Sequence, residues 1–182
     1  DVILVGEIRD EDTADMAFRA SMTGHQVYST LHTNSALGII PRLLDIGVKA
    51  DIMAGNIIGV IAQRLVRKLC TECKRSYTPQ EIELKLLGVT HDALEGDIYC
   101  SQGCEACEST GYRGRLALME ILRFDAEMDE LVSRRATLRE IERIAKQKGF
   151  YTLADDGARR VKEGITSLDE ISRVVDLTSR LN

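Results

Sequence analysis

The chain has 182 residues, of which 44% are hydrophobic and 29% are charged, and its formal net charge is −5. This balance excludes a disordered chain, because there is enough apolar material for a core and no tract of biased composition. The apolar runs are too short to cross a bilayer, which excludes a membrane-spanning helix of ordinary length. An acidic chain is also poorly suited to gripping a phosphate backbone, so nucleic acid is not an expected partner.

A short apolar strand opens the chain and is followed by an acidic residue. Residues 2–5 (VILV) are typical of a strand that is buried on both faces of a parallel sheet. Such a strand needs neighbours, so we expect the chain to be one part of a longer protein. Glu7 lies at the carboxyl edge of this predicted sheet, where a carboxylate holds magnesium or orients the attacking water in nucleotide hydrolases. A solvated turn is the alternative interpretation.

The second predicted strand ends in a histidine. An acidic run at Glu11, Asp12 and Asp15 suits the first turn of a helix that is expected to extend through Met22 or Thr23, and residues 26–31 (QVYSTL) then favour a strand. If the two strands are parallel neighbours, His32 projects at the same rim as Glu7, where it is able to donate a hydrogen bond to a phosphate oxygen. A structural role is the alternative for this histidine, and neither of the other two histidines carries a comparable signal.

Arg9, which follows Glu7 by two positions, has two interpretations. The first is a contact to a phosphate group at the same rim. The second is an ion pair with Asp10 or Asp12, which would be energetically minor at an exposed position.

The remainder of the first third continues the alternation of strands and helices. Apolar residues at helical spacing predict a helix that is kinked at Pro41 and stops at Gly47. A further apolar helix is expected from about Ile52 to Gln63, and residues 64–69 favour another strand. This alternation is typical of an α/β layer.

Four of the five cysteines form two C-x-x-C pairs, Cys70 with Cys73 and Cys104 with Cys107. Each pair is able to clamp one side of a tetrahedral ion, and the pattern favours a metal site over a disulfide framework. Zinc is the expected metal, in a structural role, because four thiolates leave no position for water or substrate. An iron–sulfur cluster and a pair of reduced knuckles without metal are the alternatives. The pattern also favours a reducing compartment such as the cytoplasm.

The cysteine segment differs from its surroundings in composition. Residues 70–114 carry eight acidic against four basic side chains, a net charge of −4, and few large apolar residues. A segment with so few large apolar residues needs a further source of stability besides its hydrophobic core, and a bound metal would supply it. Residues 78–81 (TPQE) predict the start of a short helix that runs through Leu87. Cys100 is interpreted as a spare thiol, although its spacing allows it to replace Cys104.

The last third is predicted to be helical after one more strand. Residues 116–122 (LALMEIL) favour a strand that rejoins the main sheet, which makes the cysteine segment an insertion. Capping boxes are expected at 137–140 (TLRE) and 167–170 (SLDE), and Gly149 and Gly164 are expected to stop helices.

Several motifs occur in a fixed order, and on them the chain resembles the secretion-ATPase family that includes the type II secretion and type IV pilus-assembly motors. The matching motifs are VILVGEIRD (2–10), TGHQVYSTLHTN (23–34), IAQRLVRKLC (61–70), the two C-x-x-C pairs (70–107), GYRGR (111–115) and GITSLDEI (164–171). They cover nearly the whole chain, and independent motifs in collinear order make coincidence implausible.

The resemblance implies an α/β fold that forms the C-terminal part of a RecA-like P-loop ATPase core. Residues 1–69 would belong to this core, rejoined by a strand at 115–123. Residues 70–114 would form an inserted tetracysteine zinc-binding subdomain, and residues 124–182 a C-terminal helical subdomain. Retraction-type relatives generally lack the insertion, so the chain looks like an assembly or secretion motor.

The resemblance also implies a function, the hydrolysis of ATP to power type II secretion or type IV pilus assembly. Glu7 would be the catalytic glutamate of the Walker B segment, and His32, in the family's His box, would lie near the γ-phosphate. The implied cofactors are structural Zn²⁺, and ATP with Mg²⁺ in the full-length protein. The implied partners are further copies in a homo-hexamer and the inner-membrane platform proteins of the machinery. The implied localisation is cytoplasmic, peripheral to the inner membrane.

The phosphate-binding motif G-x-x-x-x-G-K-[ST] does not occur in the sequence. Because phosphoryl transfer depends on the charge stabilisation that such a loop supplies, the chain alone is expected not to hydrolyse ATP. The alternative function is a zinc-stabilised protein-binding or scaffold module without an ATPase role. A zinc-ribbon nucleic-acid binder is a third possibility, which the acidic charge disfavours.

Overall fold

The computed structural model of the chain describes residues 1–94 and 96–181. Glu95 and Asn182, which fall in the predicted zinc subdomain and the predicted helical subdomain, lie outside the described residues. The chain packs as two compact units, Asp1–Ala62 with Ile121–Phe150, and Gln63–Glu120 with Tyr151–Asn182. These are packing units, and the three-part division that the sequence suggested stays a prediction.

The secondary structure mixes strands and helices throughout the chain. The strands are β1 (Val2–Val5), β2 (Gln26–Ser29), β3 (Gly59–Leu69), β4 (Arg75–Tyr77), β5 (Ile98–Cys100) and β6 (Tyr112–Arg123). The helices are α1 (Glu11–Met22), α2 (Ile39–Ile46), α3 (Ala50–Met53), α4 (Glu81–Leu87), α5 (Ala126–Ser133), α6 (Leu138–Gln147), α7 (Leu153–Lys162) and α8 (Leu168–Val174). Short 3-10 turns lie at His91–Ala93, Glu105–Cys107 and Thr178–Arg180.

In the first unit, β1 and β2 form a parallel pair, as predicted. Their register places Val2 opposite Gln26 and Val5 opposite Ser29. The helix between them, α1, is capped by Asp10, whose carboxylate accepts a hydrogen bond from the amide of Thr13 at 2.8 Å. Its buried residues repeat at helical spacing, and they are Ala14, Ala17 and Phe18. Parallel pairing brings the carboxyl ends of both strands to one edge.

The expected burial of β1 on both faces does not occur in this chain. The exposed fractions of Val2 and Leu4 are 68% and 78%, and Tyr28, opposite Leu4 in the register, is 53% exposed. The physical reason is that β1 pairs with β2 alone among the described strands, and the face of this pair that carries Val2, Leu4 and Tyr28 is left exposed by the described residues.

Two predicted helices differ from the observed elements. Helix α2 begins at Ile39, so Pro41 lies in its first turn, where the missing N–H costs no hydrogen bond and causes no kink. The predicted helix from Ile52 to Gln63 is wrong. Only α3 forms there, and the chain continues as the long strand β3, which includes the predicted strand at 64–69.

Strands β3 and β6 form a two-stranded sheet. The amide of Phe124 donates to the carbonyl of Ile58 at 3.0 Å, and the amide of Cys70 donates to the carbonyl of Gly111 at 2.9 Å. These two bonds lie at opposite ends of the pair, so the strands run antiparallel. Among the described strands, β6 therefore pairs with β3, whereas the sequence suggested that it rejoins the main sheet.

The second unit contains a small β-ribbon and, among the described helices, α4, α7 and α8. Strands β4 and β5 pair antiparallel, with Arg75 opposite Cys100. Helix α4 contacts α7, and α7 contacts α8. The capping box of α4 is formed by Gln80 and Glu83, two positions later than the sequence suggested, and Gly88 ends this helix as predicted.

Within the described residues, none of the helices has the length and apolar character needed to cross a membrane.

Candidate functional site

The edge of the β1–β2 pair carries the first group of candidate residues. The loop after β1 stays bound to the chain after β2, because Thr30 Oγ1 donates to the carbonyl of Gly6 at 2.7 Å and the amide of Ile8 donates to the carbonyl of Thr30 at 3.0 Å. These two bonds continue the strand pairing past its last residues. They fix the backbone on both sides of Glu7.

The structure brings Glu7, Arg9 and His32 together at this edge. The Nε2 atom of His32 lies 2.8 Å from Glu7 Oε1, and Arg9 Nε donates to Glu7 Oε2 at 2.6 Å. The carboxylate side chain is only 18% exposed, whereas the side chains of His32 and Arg9 are 87% and 74% exposed. The sequence predicted that acid and imidazole share one rim, and the coordinates place them in contact.

The charges around Glu7 keep its carboxyl group ionised. The hydrogen bond from Arg9 is the largest of the effects that lower the pKa of Glu7, and the charges of Arg9, His32 and Arg42 act in the same direction against the opposing effect of desolvation. The same contact raises the pKa of Arg9. An ionised carboxylate is the form that can accept a hydrogen bond from a water molecule.

Arg42, on α2, is a contributor that the sequence interpretation missed. Its charge reaches Glu7 although 35 positions separate the two residues along the chain. The sequence does mark Arg42 as unusual, because it is the single cation of helix α2. The buried positions of this helix, among them Ile39, Ile40 and Leu43, are apolar. Its proximity to the rim depends on the packing of α2, which periodicity does not reveal.

The inner oxygen of Glu7 is prepared to accept a hydrogen bond. Glu7 Oε1 is shielded from solvent and accepts no hydrogen bond of regular geometry from the described residues, although the imidazole lies beside it. A shielded carboxylate oxygen without such a donor is unfavourable unless a further group binds there. This oxygen therefore keeps acceptor capacity for a donor that reaches it, such as the adjacent His32 imidazole or a water molecule admitted by its movement.

The four paired cysteines form the second candidate site. Their sulfur atoms all lie within 4.8 Å of one another. The closest approaches are 3.7 Å between Cys104 and Cys107, 3.8 Å between Cys73 and Cys107, and 3.9 Å between Cys70 and Cys104. All are far longer than a disulfide bond, and the cysteines are free thiols.

Zinc fits this donor set. A tetrahedral Zn²⁺ with Zn–S bonds of about 2.3 Å separates its sulfur ligands by roughly 3.8 Å, which matches the closest approaches. All four ligands are thiolates, the donor type that zinc shares with iron–sulfur clusters. A site closed by four protein ligands is structural, because it leaves no coordination position for substrate.

Backbone amides point at two of the sulfur atoms. Cys107 Sγ accepts from the amides of Cys104 and Gly111, both at 3.2 Å, and Cys73 Sγ accepts from the amide of Gly103 at 3.3 Å. Burial raises the pKa of the Cys107 thiol, but the hydrogen bonds from these two amides and from the Cys104 and Cys73 thiols together outweigh it, and the net pKa is lowered. Burial dominates at Cys73, whose pKa is raised. Amide donors of this kind stabilise thiolate charge, which a metal site requires.

The glycines in this site are required by their backbone geometry. Gly103 has φ +111°, and a Cβ at this position would lie 2.7 Å from the carbonyl oxygen of Ser109. Gly111 has φ +75°, and its Cβ would lie 2.6 Å from the side chain of Ser101. Residues with a side chain would therefore displace the amides that face the sulfur atoms.

Cys100 lies apart from the four-cysteine group, on strand β5.

The sequence matches the family described as "Type II/IV secretion system protein" over residues 1–173. It is 45% identical to "Type II secretion system protein E" of Pseudomonas aeruginosa over 174 residues, which cover 96% of this chain and 34% of that protein. It is also 45% identical to "Type IV pilus assembly ATPase TfpB" of Acinetobacter baylyi over 179 residues, which cover 98% of this chain and 31% of that protein. The chain thus spans about a third of the length of these curated relatives.

The fold is similar to that of a solved ATPase. The X-ray structure of the Legionella pneumophila ATPase DotB matches with a TM-score of 0.62 at 22% sequence identity, over 95% of this chain and 38% of that chain. At this identity the likeness concerns the fold alone.

Proposed function

The chain belongs to the family of type II/IV secretion system proteins, and on that premise we propose that it is the C-terminal part of a motor ATPase that powers type II secretion or type IV pilus assembly. In this proposal residues 1–69 and the strand at 115–123 belong to a RecA-like P-loop core. The complete motor is a hexamer that works in the cytoplasm against inner-membrane platform proteins. The family membership predicted from the motifs is confirmed.

The contact between Glu7 and His32 is the observation that carries the ATPase proposal. The two side chains come from the segments that follow β1 and β2, and they meet at the carboxyl edge of this parallel pair, 2.8 Å apart. Ligands of open α/β sheets bind at this edge. An acid and an imidazole held there are suited to the terminal phosphate of a nucleotide.

In the proposed mechanism each residue has a separate task. Glu7, ionised because its pKa is lowered, accepts a hydrogen bond from the attacking water and aligns it with the γ-phosphate. His32 donates to a phosphate oxygen and couples nucleotide state to the position of its loop. Arg9 holds the carboxylate in place and offers a weaker contact to phosphate. When bound, Mg²⁺ supplies positive charge that offsets the charge of the phosphates.

The same mechanism makes the chain inactive by itself. Lysine and backbone amides of a phosphate-binding loop supply much of the stabilisation in P-loop hydrolases, and this sequence has no such loop. We therefore place ATP turnover in a longer chain that supplies the loop.

We further propose that Cys70, Cys73, Cys104 and Cys107 bind one structural Zn²⁺. The proposal is supported by the sulfur separations and by the amides that face the sulfur atoms. Cys70 immediately follows β3, and Cys107 is followed closely by β6, so the metal would tie together the ends of two paired strands.

The ATPase proposal is tested by Glu7→Gln in a chain restored with an N-terminal half that carries a phosphate-binding loop. Glutamine keeps the shape of the side chain but loses the negative charge that aligns and activates water. We expect kcat for ATP hydrolysis to fall by about 10²-fold or more, while the affinity for a nucleotide analogue changes little.

Asp15→Asn provides the matched control. Asp15 forms an exposed ion pair with Arg19 on α1, so its loss should leave kcat within about twofold of the original value. If the restored chain shows no turnover, or if Glu7→Gln turns over ATP as fast as the unsubstituted chain, the motor proposal is wrong and a scaffold role replaces it.

A further inference from the structure

Residues 164–170 (GITSLDE), here called the clamp segment, lie against the first cysteine pair. The carbonyl of Gly164 accepts from Lys74 Nζ at 2.9 Å, and the carbonyl of Ile165 accepts from the amide of Leu69 at 2.8 Å. Leu69 immediately precedes Cys70, and Lys74 immediately follows Cys73. The clamp segment therefore holds the first C-x-x-C pair at both of its ends.

The clamp segment also reaches the second cysteine pair. Ser167 Oγ lies 2.7 Å from the hydroxyl of Tyr112, within hydrogen-bond distance. Tyr112 follows Gly111, whose amide donates to Cys107 Sγ and whose carbonyl accepts from the amide of Cys70. The contact between Ser167 and Tyr112 therefore fixes the position of Tyr112. Its neighbour Gly111 is hydrogen-bonded to Cys70 of the first pair and to Cys107 of the second.

A buried carboxylate anchors the clamp segment to β3. Glu170 is 1% exposed and accepts from the backbone amide of Arg67 at 2.9 Å and from its guanidinium at 2.6 and 3.0 Å. Arg173 adds a second guanidinium at 2.7 Å. Desolvation raises the pKa of Glu170, but the donors from Arg173 and Arg67 outweigh it and lower the pKa to about 2. The carboxylate is therefore charged and fully partnered.

Two further contacts make this anchor rigid. Thr166, which is completely buried, donates through Oγ1 to the carbonyl of Arg67 at 2.8 Å. The guanidinium of Arg67 lies over the ring of Tyr112, 4.1 Å from its centroid. Arg67 is consequently held by the clamp segment on its backbone and on its side chain, three residues before Cys70.

The clamp segment approaches the cysteine-bearing ribbon too closely to shift freely. Gly164 has φ +66°, and a Cβ there would lie 2.9 Å from the ring of Tyr99 on β5. Lys74 lies over the same ring, 4.2 Å from its centroid. The clamp segment therefore also lies in close contact with Tyr99 on β5.

We propose that the clamp segment positions the four thiolates through their neighbours in the chain, so that metal affinity and the docking of α8 are thermodynamically linked. The inference rests on the proposed metal site. Contacts behind the ligands orient the first coordination shell, and their loss typically weakens metal binding by about 10- to 100-fold. Linkage is reciprocal, so loss of the metal must loosen the clamp segment by the same free energy.

The first test measures Zn²⁺ affinity by competition with a chromogenic chelator, using the whole chain. Thr166→Val removes one hydroxyl at nearly constant volume, and Glu170→Gln removes the charge that holds Arg67. We expect each variant to bind Zn²⁺ about 10- to 100-fold more weakly than the unsubstituted chain. Glu163→Gln is the control, because its carboxylate pairs only with Arg159 and Arg160 among the described residues and should not change the affinity.

The second test is hydrogen exchange with and without a chelator. Removal of Zn²⁺ should speed the exchange of the amides of Ile165 and Glu170 at least tenfold, while amides in α1 exchange at their original rate. If Glu170→Gln does not fold, Thr166→Val decides the question. Unchanged affinity in a folded Thr166→Val chain overturns the linkage but leaves the metal site intact. Failure of the unsubstituted chain to bind Zn²⁺ overturns the metal site, and the linkage with it.

Discussion

Cys73 and Cys100 differ in their surroundings, and the proposed metal site gives them different roles. The sulfur of Cys73 lies 3.8 Å from that of Cys107 and accepts a hydrogen bond from the amide of Gly103. Cys100 is equally free, but it lies on β5 and is not part of the four-cysteine group. Replacement of Cys73 therefore tests the proposed metal site, and replacement of Cys100 is the matched control.

Cys73→Ser should abolish the binding of zinc, because a serine hydroxyl remains protonated at neutral pH and is a poor zinc ligand. Cys100→Ser should retain one zinc per chain. The measurement is metal content after gel filtration, by atomic emission. Loss of zinc in Cys100→Ser together with its retention in Cys104→Ser would show that Cys100 replaces Cys104 as the ligand.

Residue-level prediction succeeded where a motif in the sequence marks the partners and failed where no motif marks them. The spacing of the four cysteines was sufficient to predict that their sulfur atoms cluster. The capping box expected at 167–170 is only half formed, since Ser167 caps the amide of Glu170 but the carboxylate of Glu170 turns to Arg67. Those two residues are 103 positions apart, and no local pattern links them.

At the scale of elements, the region before β3 shows why the predicted helix did not form. Residues 52–63 have apolar side chains at helical spacing, but they also contain two glycines and several β-branched residues. Gly55 adopts φ +77°, which ends the short helix, and Gly59 begins the strand. The residues from Gly59 onward pair with β6, which is distant in the sequence, and this pairing stabilises a strand in place of the predicted helix.

The contact between α7 and α8 depends on the absence of a side chain at Gly157. A Cβ there would lie 2.8 Å from Cγ2 of Ile171, which is completely buried and has no room to move. Alanine is favoured over glycine in a helix by about 1 kcal/mol, but overpacking of a core costs about 1–3 kcal/mol. We expect Gly157→Ala to lower the free energy of unfolding by about 1 kcal/mol, measured by urea denaturation.

The sign of this effect should reverse when the obstacle is removed. In an Ile171→Ala background, the new Cβ no longer meets Cγ2, so Gly157→Ala should stabilise the chain by up to about 1 kcal/mol. Equal effects of Gly157→Ala in both backgrounds would show that the two positions are not in contact and that the helices are separated there.

At the scale of the whole molecule, the mixed α/β class and the family were predictable because they rest on motifs spread over the chain. The order of motifs from residue 2 to residue 171 was sufficient for both. The burial of β1 was not predictable from its composition. An apolar strand shows what it is able to bury, but the covering element is a property of the surrounding fold, and here Val2 and Leu4 are exposed.

The exposed face of β1 leads to a prediction that compares two lengths of chain. Leu4→Thr keeps a strand-forming side chain while it removes apolar surface. Because Leu4 is 78% exposed in this chain, the substitution should change the free energy of unfolding by no more than about 0.5 kcal/mol. In a chain restored with its N-terminal half, further strands and helices of the proposed core would cover this face. Full burial of a leucine contributes about 1.5–3 kcal/mol, so the same substitution should there cost an amount in that range.

Urea denaturation of both lengths, each with and without the substitution, measures this difference directly. Met16→Thr is the control, because Met16 is 66% exposed on α1, and its position on the outer face of that helix predicts the same small cost, within about 1 kcal/mol, in both chains. A small cost of Leu4→Thr in the longer chain as well would mean that the VILV face stays in solvent there. The parallel pair would then not be the interior of a larger sheet, and the proposed P-loop core would lose its structural basis, even though Glu7 and His32 remain in contact.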